Sequence, residues 1–155
     1  MRSLLVLGLL MLPSVAQAAA ITFEGTIQPG CTITLDTPGS LSLNATRTAM
    51  TSELSAGGVS AIVAVVSTSN STLTIGSPTL EAQGSGYSVG TQTLEVAYTG
   101  LIGLTPVIKS FSTTGGTYPI LSVLPSLLTM DNRIVNSAGF PPGTYRTQTL
   151  VTCGP

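Results

Sequence analysis

The side chains able to do acid–base or nucleophilic chemistry are few in this chain, and their spacing gives them little to work with. There is no histidine among the 155 residues, so Ser–His and Cys–His nucleophile pairs cannot be built. Six carboxylates, Glu24, Asp36, Glu53, Glu81, Glu95 and Asp131, are scattered along the chain. None falls in a DxD or ExxE grouping that would hold a metal or flank a glycosidic bond, although carboxylates distant in sequence can still be paired by a fold. The expectation is a protein that is not an enzyme and that needs no cofactor and no metal.

The residues that carry most information are the two cysteines, Cys31 and Cys153. In CTITL, Cys31 shares a strand face with Ile33 and Leu35. In YRTQTLVTC, Cys153 falls on the face of Tyr145, Thr149 and Val151. Both sulfurs are then expected to face a core, which suits a structural bridge between the first and last strands. Such a bridge closes nearly the whole mature chain and is worth about 4–5 kcal/mol on the loop-entropy model. The alternatives are an intermolecular bridge or a zinc pair, and two cysteines without histidine make a poor zinc site.

The elements that position these residues begin after an expected leader. Met1-Arg2-Ser3 gives a short basic start, Leu4 to Leu12 an apolar run too short for a membrane span, and Ala16-Gln17-Ala18 a small-x-small cleavage site. Residues 1–18 therefore read as a secretory signal peptide, and export also suits a disulfide. Losing Arg2 with the leader takes the net charge from −1 to −2. No basic stripe or polybasic patch marks a nucleic acid or membrane surface as partner. Charged residues make up only 7% of the chain, against roughly 25% in ordinary soluble domains.

Apolar residues recur at period two or in short runs between Gly, Pro, Asn and Ser clusters, which predicts strands and no substantial helix. The predicted strands are Ile21–Gln28, Thr32–Asp36, Leu41–Asn44, Val59–Thr68, Ser71–Ile75, Thr91–Thr99, Leu104–Ser112, Arg133–Val135 and Thr144–Cys153. Ala61 to Val66, apolar on both faces, reads as a central strand covered on each side. Thr46 to Leu54 could hold a helical turn, and Leu121 to Leu128 is ambiguous around Pro125. Gly76-Ser77-Pro78, Gly115-Gly116 and Pro141-Pro142-Gly143 read as turns. The organisation is one all-β antiparallel sandwich domain over residues 31–155, preceded by a strand-like segment at 19–30. Tyr87, Tyr98 and Tyr118 could form a sugar-binding platform, but period-two placement favours a core role.

Two stretches together resemble the ends of a pilin of the chaperone–usher pathway. ITFEGTIQPGCTIT, residues 21–34, is similar to the N-terminal segment of such subunits, an alternating strand a few residues ahead of a cysteine. PPGTYRTQTLVTCGP, residues 141–155, resembles their C-terminal signature of Gly-x-Tyr followed by alternating residues, with the flavour of the archaic, Csu-type and spore-coat-U-like branch. TLTIGSPTLEA, residues 72–82, is similar to pilin-like domains as well. The resemblance implies an immunoglobulin-like sandwich that lacks one strand and accepts it from elsewhere. A periplasmic chaperone, delivering to an outer-membrane usher, fills the gap first, and a neighbouring subunit's N-terminal strand fills it last.

Read onto this chain, Ile21, Phe23 and Ile27 would be the inward-pointing donor residues, with Gly25 at a shallow position between them. Tyr145, Thr149 and Val151 would belong to the acceptor strand, opposite the strand that follows Cys31. The family's second cysteine would fall near the end of Val59–Thr68, where Ser67 or a neighbour stands, whereas here the second cysteine is Cys153. The implied product is a fimbrial subunit at the cell surface, with identical or related pilins as partners. The rival reading keeps Ile21–Gln28 in its own sheet and makes the domain a secreted adhesin or tip subunit that binds a host or surface glycan near Tyr87 or Tyr118.

Overall fold

The computed structural model describes residues 30–155. The expected signal peptide and the Ile21–Gln28 strand lie outside the described residues. The period-two runs form β1 (Cys31–Thr37), β2 (Ser42–Leu43), β3 (Ala49–Thr51), β4 (Ala61–Ser67), β5 (Ser71–Ala82), β6 (Gln92–Ile102), β7 (Thr105–Ser112), β8 (Gly116–Ile120), β9 (Ser126–Asn136) and β10 (Arg146–Gly154). They pair into two antiparallel sheets, the all-β sandwich that the alternation predicts. Helix is confined, among the described residues, to single 3-10 turns at Leu54–Ala56 and Val89–Thr91.

Long β9 organises the larger sheet. One side of it pairs with β6 along nearly its whole length. Its other side pairs with β4 through Ser126–Met130 and with β3 through Arg133–Val135. β1 is added outside β4, β2 outside β3, and β7 outside β6. The smaller sheet is β10-β5-β8. Inward residues from both sheets, among them Val65, Leu73, Val96, Ile120 and Leu128, form the main core. A second cluster of Tyr87, Ile134 and Phe140 fills one end, with Tyr145 packed against it.

Several local expectations are corrected. Ala61 to Val66 is fully covered on one face only: Val63 and Val65 are buried, whereas on the other face Ile62 and Ala64 are half-buried and Val66 is 48% exposed, because the small sheet packs on the inner face. Gly76-Ser77-Pro78 is no turn but the middle of β5, which runs on to Ala82. There the register against β10 shifts between Thr149 and Val151, and a bulge of this kind tolerates both glycine and proline. The ambiguous Leu121–Leu128 stretch ends in the start of β9, so that strand begins at Ser126. The suspected helical turn contains β3 and only then a 3-10 turn. Gly115-Gly116 leads directly into β8.

The edges of the sheets differ in how they are finished. β7 carries Pro106 and the side chain of Lys109, whose Nζ donates to the Gly115 carbonyl 2.6 Å away. Its pairing with β6 is broken by a register shift between Val96 and Tyr98. β8 is five residues long and contains Pro119, and β2 is two residues long. Short strands, prolines, irregular pairing and turned-in charges are the devices that blunt an edge. β1 and β10 contain no proline and are seven and nine residues long, although each has a register shift against its neighbour.

Candidate functional site

β1 and β10 face each other across the open side of the sandwich. Among the described residues β1 pairs only with β4, and β10 only with β5, so each has one backbone edge with no partner strand among them. Cys31 and Cys153 join them in a disulfide, with Cα atoms 6.0 Å apart and a sequence separation of 122. The expected first-to-last bridge is therefore present. It belongs to a non-reducing environment, extracellular or periplasmic, and no helix among the described residues is long and apolar enough to cross a membrane.

Ser67 is the Cα partner of Cys31 across β1 and β4, so it occupies the position where the resemblance places a second cysteine. It is fully buried, and its hydroxyl lies 3.3 Å from the Gly30 carbonyl, 2.7 Å from the Ser69 carbonyl and 2.8 Å from Ser71 Oγ. Gly30 is tied further to this side: its N–H donates to Thr68 Oγ1 at 3.0 Å, and Thr68 N–H donates to its carbonyl at 2.9 Å. The backbone entering β1 thus lies alongside the end of β4.

Beyond the bridge the two strands border a groove of about 390 Å³. Leu35 lines it from β1, and Thr147, Thr149 and Val151 from β10. Ala61 and Val63 of β4 and Met130 and Asn132 of β9 form its floor, and Pro38 to Leu41 border the end away from the bridge. Cross-strand pairing puts Ile33 opposite buried Val65 and Leu35 opposite buried Val63. Both therefore point towards the interior, yet Ile33 is 37% and Leu35 58% exposed. Core-facing residues are left uncovered because no strand among the described residues lies between β1 and β10.

Asn132 crosses the floor. Its Nδ2 donates to Thr147 Oγ1 at 3.0 Å, and its Oδ1 accepts from Thr149 Oγ1 at 2.8 Å. These bonds tie the large sheet to β10. Sequence reading missed Asn132. The available signal was its phase: Leu128, Met130 and Ile134 are inward and apolar, and Asn132 is the polar member of that series.

Of the predicted acceptor residues, Thr149 and Val151 lie on the groove wall. Tyr145 does not: it precedes β10, and its ring packs at 5.3 Å from Tyr87 and 5.2 Å from Phe140. Its hydroxyl donates to the Pro141 carbonyl at 2.8 Å. A tyrosine at the start of a late strand, reaching back to a carbonyl just upstream, also marks the corner of immunoglobulin-type sandwiches. The turn before it is tight. Gly143 has φ +154°, and a Cβ on it would collide with Gly84, so the two loops can touch only as glycines. The predicted donor residues Ile21, Phe23, Gly25 and Ile27 lie outside the described residues.

The aromatic residues considered for sugar binding are mostly interior. Tyr87 and Tyr98 are 8% and 2% exposed. Tyr98 meets the half-buried Tyr118 edge-on, with their hydroxyls 2.7 Å apart. Burial raises the phenol pKa of Tyr98 well above its ordinary value, and the Tyr118 hydroxyl adds to the shift; burial raises that of Tyr87 as well. Among the described residues no group of three or more carboxylate and cysteine side chains is placed to hold a metal. No family model matches the chain, and neither a curated protein nor a solved structure matches it.

Proposed function

We propose that this chain is a structural subunit of a bacterial surface fimbria, exported through the periplasm, whose groove between β1 and β10 accepts the Ile21–Gln28 strand of another copy. One observation carries the reading: Ile33 and Leu35 face the interior but are exposed, between two strands that each have an edge unpaired among the described residues. An incoming strand meets two needs at once. Its backbone pairs with both free edges, and its alternate side chains cover the exposed core. Ile21, Phe23 and Ile27 supply that apolar face, at about 1.5–3 kcal/mol for each side chain fully buried. Before assembly, a periplasmic chaperone strand occupies the same groove and an outer-membrane usher receives the subunit.

The test is biochemical. Assemblies taken from the producing cell survive SDS without heating and collapse to monomer on boiling. Phe23→Asp removes the ladder and leaves export intact. A folded wild-type monomer that never assembles, and that is indifferent to deletion of residues 21–27, overturns the reading.

A further inference from the structure

We infer that the Cys31–Cys153 bridge bars this chain's own N-terminal strand from its groove and so reserves the groove for a second copy. The inference rests on the strand-accepting reading above and adds what decides between self-completion and polymerisation.

The need for a bar follows from concentration. A strand tethered to its own domain acts at a millimolar effective concentration, so against a neighbour at micromolar concentration it would win by about a thousandfold. Only geometry that forbids the intramolecular contact removes this advantage. Two orientations have to be excluded.

In the antiparallel orientation, Pro29-Gly30 would form a hairpin and Gln28 would pair beside Cys31. A strand lying between β1 and β10 needs about 9.6 Å between them, twice the inter-strand spacing. The bridged Cα atoms are 6.0 Å apart. Gly30 is moreover held to Thr68 on the β4 side, away from the groove.

In the parallel orientation, Gln28 would lie near Thr37, about 20 Å from Cys31 at the rise of an extended strand. Only Pro29 and Gly30 separate Gln28 from Cys31, and three Cα–Cα steps span about 11 Å at most. The chain cannot reach.

A strand from another copy is free of the tether, and it avoids the narrow bridged end by stopping short of it. It enters from the Thr37 side, where the groove lies, with its free N-terminus leading towards the bridge. It then runs parallel to β1 and antiparallel to β10.

The experiment places the photo-crosslinker p-benzoylphenylalanine at position 23 and exports three forms of the chain: wild type, the C31S/C153S double variant, and a form with ten Gly/Ser residues inserted between Gln28 and Pro29. Irradiated wild type gives adducts of dimer size and above. Both altered forms shift the adducts to monomer size, with the ratio of monomer to multimer adducts rising by about tenfold or more, well within the tether advantage. The insertion form retains the bridge and the whole domain, so it decides the question even where C31S/C153S fails to fold. Monomer-size adducts in wild type, or dimer-size adducts undiminished in the insertion form, overturn this inference alone. A wild-type chain with neither adducts nor an SDS-resistant ladder overturns the polymerisation reading and this inference with it.

Discussion

Tyr98 lies in the main core with its hydroxyl 2.7 Å from that of Tyr118, and its chemistry sets an alkaline limit on the fold. Burial first, and the neighbouring hydroxyl second, hold its pKa above the ordinary value near 10. The folded chain therefore keeps this proton at a pH where the unfolded chain loses it. Stability is full below about pH 10 and declines as pH rises above that, because the unfolded state then binds fewer protons. Urea midpoints measured from pH 8 to about pH 11 should be level at first and then fall, and Tyr98→Phe should weaken the fall. The same residue shows what could be read beforehand. Its period-two position identified it as core, but its partner, twenty residues away, left no trace in the local pattern. Asn132 was missed because the predicted strand began one residue later, at Arg133, whereas β9 starts at Ser126, and its two threonine partners depend on how one sheet lies over the other.

At the scale of elements, strands with steady alternation were legible, and those whose identity comes from their neighbours were not. β1, β4, β6, β7 and β10 fall within a few residues of their predicted bounds. β3 and β8 are short, with little periodicity of their own, and exist because β9 and β5 offer them an edge. The second half of β5 was hidden by Gly76 and Pro78, whose usual meaning as turn formers is overridden by a bulge. The groove was legible as a pair of bordering strands, and its floor was not. The exposed position of Leu35 on β1 gives a direct test of what the groove is for. Leu35→Glu should change stability by no more than about 0.5 kcal/mol, as surface substitutions do, yet place a charge where, on the strand-accepting reading, an apolar strand would bind. Denaturation should be near wild type while the unheated SDS ladder disappears. A normal ladder would separate the groove from assembly.

At the scale of the molecule, the bridge between the two sheet edges also holds the fold together. It closes a loop of 122 residues, and opening it should cost about 4–5 kcal/mol on the loop-entropy model. Urea unfolding with and without reductant reads this directly as a lower midpoint. A loss near zero would mean that the sheets are held by packing alone, and that the bridge contributes only to the shape of the groove.

The unequal finishing of the sheet edges has a consequence for the shape of any product. β2, β7 and β8 are each too short, too irregular or too proline-bearing to template another strand. On the strand-accepting reading, what remains among the described residues is one receptive seam, with one strand to offer. Such a particle would have a valence of two, with unlike poles, and its growth would extend a line but not branch it. Each filament would then have a single vacant seam at one tip and a single unspent strand at the other, and its length would be set by whatever occupies those two ends.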